Sequence, residues 1–204
     1  MRISPEQALE KLKRGLARSL SDNRKFGSGI DSTRRSELAQ GQTPYAVILA
    51  CADSRVSPEF IFDAGMGDLF VCRNAGNLVT NAVLDSIEYA ALQLKTPLLL
   101  VLGHKECAAV QLTVKEARKP GAASQSIRSL IKLIMPAVKS TRPSNQSLNL
   151  KQTWTEKAIK VNVELACKEV LKHKPVLAQL ISQKQFRICG AVYDTQNGDV
   201  EFLY

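Results

Sequence analysis

The chain is poor in the features that would commit it to a membrane, a secreted disulfide scaffold or a nucleic acid. Its longest apolar stretches, "YAVILACA" and "PLLLVLG", fall well short of the roughly 20 residues a membrane-spanning helix needs, and each reads as a buried strand. Cysteine is sparse and odd in number: Cys51, Cys72, Cys107, Cys167 and Cys189. With no secretory signal beside them, they argue against a disulfide framework and leave the thiols either buried or bound to metal. The opening "MRISPEQALEKLKRGLARSL" has no continuous apolar core and no small-residue cleavage site. An amphipathic helix is therefore expected there, not a signal peptide, and a cytoplasmic protein, free or inside a microcompartment. Charge is plentiful, 28 Lys and Arg against 19 Asp and Glu for a net +9. The basic residues are interspersed with acids and no aromatic-rich RNA-binding signature accompanies them, so neither nucleic acid nor membrane is an expected partner. No internal repeat and no long low-complexity tract is found.

What is present fits one globular domain over all 204 residues, with 45% hydrophobic and 23% charged residues. Four runs, 45–51, 68–74, 97–104 and 186–194, are apolar along most of their length, as strands buried on both faces are. Between the second and third, Val83, Ile87, Ala90, Ala91 and Leu94 recur at helical spacing over 81–94, predicting a parallel crossover. A helix is predicted over 5–21, capped by Ser4 with Pro5 at its first position and Leu9, Leu12, Leu16 and Leu20 along one side. Residues 119–153, rich in Pro, Ser, Gly and Asn, surround a short apolar helix, and helical periodicity resumes over 155–174. The expected fold is α/β, a mostly parallel central sheet of four to five strands flanked by helices. Its parts are an N-terminal helical arm (1–40), a core carrying the chemistry (41–118), a helical insertion (119–185) and a C-terminal strand and tail (186–204).

The chemistry sits after two strands: Cys51-Ala52-Asp53-Ser54-Arg55 follows the first and Gly103-His104-Lys105-Glu106-Cys107 the third. In an open parallel sheet, ligands bind outside the carboxyl ends of the strands where the order reverses, so both clusters can meet in one crevice. Two thiolates and an imidazole are ligands zinc prefers, and three protein ligands leave the fourth tetrahedral position for water. On spacing alone, Cys51 and Cys107 read equally well as buried thiols and His104 as a hydrogen-bonded loop residue. Asp53 and Arg55 shift that balance. Alternate positions on an extended segment point the same way, so the two can form a bidentate ion pair at the mouth of the site. An aspartate so held stays ionised, can orient a zinc-held nucleophile, and is discouraged from becoming the fourth ligand.

The linked motifs "CADSRVSPEFIF", "GDLFVCRNAGN", "SIEYA" and "VLGHKEC" closely resemble the β-class carbonic anhydrases from about Gly41 to Cys107, and "GAVYDTQNGDVEFL" resembles that family's last strand. The resemblance implies one zinc ion per chain on Cys51, His104 and Cys107, with Asp53 and Arg55 as the catalytic dyad. It further implies that Gln42 donates to bound substrate, that Phe70, Ala75 and Tyr89 line an apolar pocket as in the plant-like branch, and that the pocket lies at a homodimer interface. Alone, Gln42 reads as a turn residue beside Pro44, and Phe70 and Tyr89 as core. The N-terminal helix is expected to pack across the partner subunit of a dimer or higher homo-oligomer. Where the family usually follows the zinc cysteine with glycine, this chain has Ala108, and the resemblance implies that its extra methyl crowds the small pocket or the backbone N–H that faces substrate.

The expected activity is reversible hydration of carbon dioxide to bicarbonate and a proton by zinc-bound hydroxide. The alternatives are hydrolysis of carbonyl sulfide or carbon disulfide on the same scaffold, or a non-catalytic zinc-binding assembly subunit. One branch of the family binds bicarbonate at a second pocket that needs a tryptophan three residues before the first zinc cysteine. That position is Ile48 here, which cannot donate such a hydrogen bond even though Arg73 is present. Gly67, Gly76 and Gly103 are expected in tight turns with no chemistry of their own, Cys72, Cys167 and Cys189 in the core, and His173 in solvent.

Overall fold

The four apolar runs form β1 (Ala46–Cys51), β2 (Leu69–Asn74), β3 (Leu98–His104) and β4 (Arg187–Tyr193), and a short β5 (Val200–Phe202) completes the sheet in this computed structural model, which describes residues 3–25, 32–144 and 150–203. The strand order is β2-β1-β3-β4-β5, parallel throughout except for the antiparallel pairing of β5 with β4. β1 and β3 are buried along their whole length, whereas edge strand β2 is only half-buried. Side chains alternate faces along a strand. Val47 and Leu49 of β1 and Leu99 and Val101 of β3 therefore enter one core. Ile48, Ala50, Leu98, Leu100 and Leu102 enter the other.

The first core is roofed by α4 (Asn81–Leu92), α6 (Arg128–Ser140), α7 (Leu150–His173) and α8 (Pro175–Ser182), together with α5 (Ala108–Arg118). α4 is the predicted crossover helix. α5 and α8 are additions to the sequence reading, and α7 starts earlier than the predicted 155. Residues 145–149 of the expected looped insertion lie outside the described residues. Among the described residues, no helix is long and apolar enough to cross a membrane.

The second core is covered by α1 (Pro5–Leu20), with α3 (Pro58–Ile61) beside it; α2 (Ser32–Leu38) contributes no buried residue. α1 starts as its sequence dictates: Gln7 N–H donates to Ser4 Oγ at 3.2 Å and Ser4 N–H to Gln7 Oε1 at 2.7 Å, a reciprocal capping box behind Pro5. Its partner corrects the expectation of a helix laid across a second subunit. Leu9, Leu12 and Leu16 are buried on this chain's own sheet, because the face opposite α4–α8 would otherwise leave Ile48, Leu98 and Leu100 bare. Only Leu20 of the expected stripe stays exposed.

α1 is seated closely. A Cβ on Gly15 would lie 1.8 Å from the carbonyl oxygen of Phe62, and Arg18 Nε and the Lys25 N–H both donate to the buried Asp63 carboxylate. Alanine is ordinarily the better helix former by about 1 kcal/mol. Gly15→Ala is nevertheless expected to lower the unfolding free energy by about 2 kcal/mol or more, because the clash is with backbone that cannot rotate away. Urea unfolding checks this; a variant as stable as the parent would mean that α1 does not sit on α3 at this depth.

Gly67 and Gly76 occupy left-handed turn positions, at φ +84° and +79°, as expected. Gly103 does not. It lies inside β3, where a Cβ would come 2.6 Å from Val163 Cγ2 of α7, so glycine is required there for close helix–sheet approach.

Candidate metal centre

From β1 the chain moves outward to β2 on one side, then crosses back to β3 on the other. The strand order therefore reverses at β1, and the carboxyl ends of β1 and β3 border the resulting crevice. Cys51 is the last residue of β1, His104 the last of β3, and Cys107 caps the N-terminus of α5. Their ligand atoms all lie within 4.8 Å of one another, and all three residues are buried.

The chemistry of this triad fits a metal ion. His104 Nδ1 lies 2.8 Å from the Lys105 carbonyl oxygen, so the ring N–H belongs on Nδ1 and Nε2 carries the lone pair. That Nε2 is buried and has no hydrogen-bond partner among the described residues; an unpaired buried acceptor is costly unless something occupies it. The two sulfurs lie together. The Cys51 thiol is pulled down by a hydrogen bond with Cys107, against the effect of burial, and by backbone N–H groups including that of Gly76. Cys107 is pushed up by that same sharing and by burial. Two thiols competing for one proton lose the conflict when a divalent cation displaces both protons. Gly76 has a role that its sequence reading as a plain turn residue omitted: its N–H donates to Cys51 Sγ at 3.3 Å.

Asp53 and Arg55 form the expected bidentate pair, Arg55 Nε to Asp53 Oδ1 at 2.9 Å and Nη2 to Oδ2 at 2.8 Å, with the Arg55 backbone N–H also donating to Oδ1 at 3.0 Å. The Arg55 hydrogen bonds hold the Asp53 carboxyl well below the usual carboxylate range. Asp53 Oδ2 lies 3.8 Å from His104 Nε2, at the edge of the triad. Arg73, on β2, donates to the backbone carbonyls of Cys51 (3.2 Å) and Asp53 (2.8 Å) and so fixes the segment between them; only its place on the edge strand, four residues after Leu69, hinted at this in the sequence.

The pocket residues implied by the family resemblance separate into two sets within one chain. Ala75 and Ala108 are exposed at the carboxyl edge, directly after β2 and Cys107. Gln42 precedes β1, and Phe70 pairs with Val47 near the strand's start. The five residue steps of β1 span about 16 Å at the rise of a parallel strand, so Gln42 belongs to the opposite edge of the sheet from Cys51. Tyr89 keeps company with Phe70, ring centroids 6.4 Å apart, and is 51% exposed. Cys167 and Cys189 are buried and Cys72 half-buried. His173 is exposed and paired with Glu169 Oε2 at 3.0 Å.

A mostly parallel α/β sheet whose switch point gathers two thiols and an imidazole around one point, with a guanidinium-locked carboxylate alongside, defines a protein of the three-ligand metal-site class. Residues 46–200 match the family described as carbonic anhydrase, and the chain belongs to the β class of that enzyme family. It is 36% identical to a carbonic anhydrase of Mycolicibacterium smegmatis, over 97% of this chain and 93% of that protein. It is 33% identical to carbonic anhydrase 2 of Mycobacterium tuberculosis, over 96% and 91%. Among solved structures it resembles the Coccomyxa β-carbonic anhydrase in complex with acetazolamide, with TM-score 0.70 and 28% identity over 96% of this chain and 84% of that one.

Proposed function

We propose that zinc is held by Cys51, His104 and Cys107 and that the protein catalyses reversible hydration of carbon dioxide to bicarbonate and a proton. The observation that carries this reading is the Asp53 carboxylate, fixed by three Arg55 donors at the edge of a buried triad with an unpartnered imidazole nitrogen. Zinc held by these three residues would lower the pKa of a water from about 15.7 towards roughly 7, less so with two anionic thiolates than with three imidazoles, and would so supply the nucleophile. Asp53 contributes orientation. Its oxygens are engaged by Arg55, so the carboxylate stays ionised and is discouraged from becoming a ligand itself, and a remaining lone pair would accept a hydrogen bond from the nucleophilic water. Burial of Cys51, His104 and Cys107 keeps their own charges from being solvated, which strengthens every interaction at the mouth of the site.

The hydration assay on zinc-verified protein, by stopped flow, tests this reading. Activity is expected to rise with pH as a single proton is lost, with a midpoint near or above 7. Ile48 is fully buried in the core and Arg73 is committed to backbone carbonyls, which supports an enzyme without a second bicarbonate pocket. A zinc-replete protein inert to carbon dioxide but active on carbonyl sulfide or carbon disulfide would overturn the substrate assignment. A steep multi-proton loss below neutral pH, deepened by bicarbonate, would overturn the absence of regulation.

The separation of Gln42, Phe70 and Tyr89 from Ala75 and Ala108 supports a homodimer of the plant-like kind, in which a two-fold axis sets the first group of one subunit over the second group of its partner. Edge strand β2 and the exposed Tyr89 ring are the natural surface for it. Co-expressing a Cys51→Ser chain with a Gln42→Ala chain, each nearly inactive alone, is then expected to restore about a quarter of the parental activity, since half the dimers are mixed and each has one intact site. Activity no greater than that of the separate variants would show that each chain completes its own site.

A further inference from the structure

We propose that Asn162, on α7, is a positioning residue of the metal centre, acting through the Gly76 peptide on the sulfur of Cys51. The inference rests on the zinc reading of the triad. The loop after β2 is drawn closed by Asn74, whose Nδ2 donates to the Leu78 carbonyl at 2.7 Å while its Oδ1 accepts from the Leu78 N–H at 2.6 Å. At the centre of that loop Gly76, at φ +79°, directs its N–H at Cys51 Sγ from 3.3 Å. The carbonyl of the same residue accepts a 3.0 Å hydrogen bond from Asn162 Nδ2, reaching across 86 residues of sequence.

The N–H and the carbonyl of Gly76 flank one Cα, and glycine has no side chain to restrict the two torsions between them. A substituent cannot supply the restriction, because a Cβ at Gly76 would lie 3.0 Å from Ile134 Cδ1 in a left-handed conformation. Asn74 fixes the ends of the loop, and Asn162 fixes the carbonyl at its centre from outside. Asn162 is only 6% exposed, on a helix whose neighbouring turns bury Ala158, Ile159, Val163 and Ala166. A buried amide among apolar residues is costly unless bonded, and no packing argument calls for asparagine there. An N–H donated to a thiolate draws charge from the sulfur and orients its lone pairs, so the aim of that N–H affects how tightly Cys51 binds a metal.

Asn162→Leu, similar in size but without a donor, tests the proposal in the full-length protein. The readouts are zinc release to a chelator and the sulfur-to-cobalt charge-transfer band of the Co(II)-substituted protein. Zinc release is expected to accelerate by about 10- to 100-fold and the charge-transfer band to shift. Val170→Ala, which removes buried volume two turns further along α7, lowers stability without touching Gly76 and is expected to leave the band in place. Should the leucine variant not fold, Asn162→Ser, whose hydroxyl is too short to reach the carbonyl, carries the same expectation. Parental release rate and an unmoved band in a folded Asn162 variant, or changes matched by Val170→Ala, overturn the proposal. Failure of the parent protein itself to take up zinc or cobalt overturns the metal reading and this proposal together.

Discussion

Cys51→Ser is expected to abolish zinc binding and carbon dioxide hydration together, and Cys107→Ser to do the same. The three donors lie within 4.8 Å of one another in a buried site, so losing one leaves two, and a neutral hydroxyl is a hard, weakly donating replacement for a thiolate. Neither sulfur can be spared. Cys51 is fixed at the end of β1 with the Gly76 N–H directed at it, and Cys107 sits at the N-terminus of α5, where its Sγ is close to the N–H groups of Ala109 and Val110. Those N–H groups could equally be capped by a serine hydroxyl, as Ser4 caps α1, so the expected loss is of the thiolate's bond to the metal and not of the helix. Metal analysis is expected to fall from about one zinc per chain to near none. Full occupancy in both variants would remove the cysteines from the ligand set.

Asp53→Asn is expected to keep the zinc but to lower kcat/KM by about a hundredfold or more. The substitution preserves shape, leaves Cys51, His104 and Cys107 untouched, and replaces a carboxylate that only accepts hydrogen bonds with an amide that also donates. It also breaks the pairing with Arg55, whose Nε and Nη2 are then left with one acceptor oxygen instead of two. The pH dependence separates this loss from a stability effect. The folded-state pKa of Asp53 lies below its usual value near 3.9, so the pair's contribution to stability is present above that value and fades only as pH falls through the lower, folded-state one. Across the neutral range the ion pair stays formed, and the pH profile of the parent is expected to report the nucleophile instead. Unchanged turnover in Asp53→Asn would reduce the dyad to scaffolding.

Arginine 55 is 52% side-chain exposed, so the ion pair adds little to global stability. Its value lies in where it keeps the carboxylate. The same separation of purposes runs through the site: Arg73 and Asn74 spend their hydrogen bonds on backbone groups of the 51–53 and 74–78 segments, and it is these segments that present Asp53 and Gly76 to the triad.

The sequence by itself determined the local features. Apolar runs longer than a helical stripe allows made β1 to β4 legible, and Ser4-Pro5 with a three-and-four leucine spacing made α1 legible down to its first residue, because capping and periodicity are set by neighbours in the chain. Cys51, Asp53, Arg55, His104 and Cys107 were legible as a group, since each lies at or just after the carboxyl end of a strand, and parallel pairing of β1 with β3 brings those ends together. The tertiary structure decided the rest. Whether α1 covered its own sheet or a partner's depended on which face of the sheet α4 to α8 left bare, a matter of crossover direction that no local pattern encodes. Gly103 looked like a turn until α7 was laid against β3. The reach of Asn162 to Gly76, and the placement of Gln42 and Phe70 at the far edge of the sheet from Cys51, depend on contacts between segments distant in sequence. Hydrophobic periodicity specifies which face of an element is buried; it carries no information on which other element buries it.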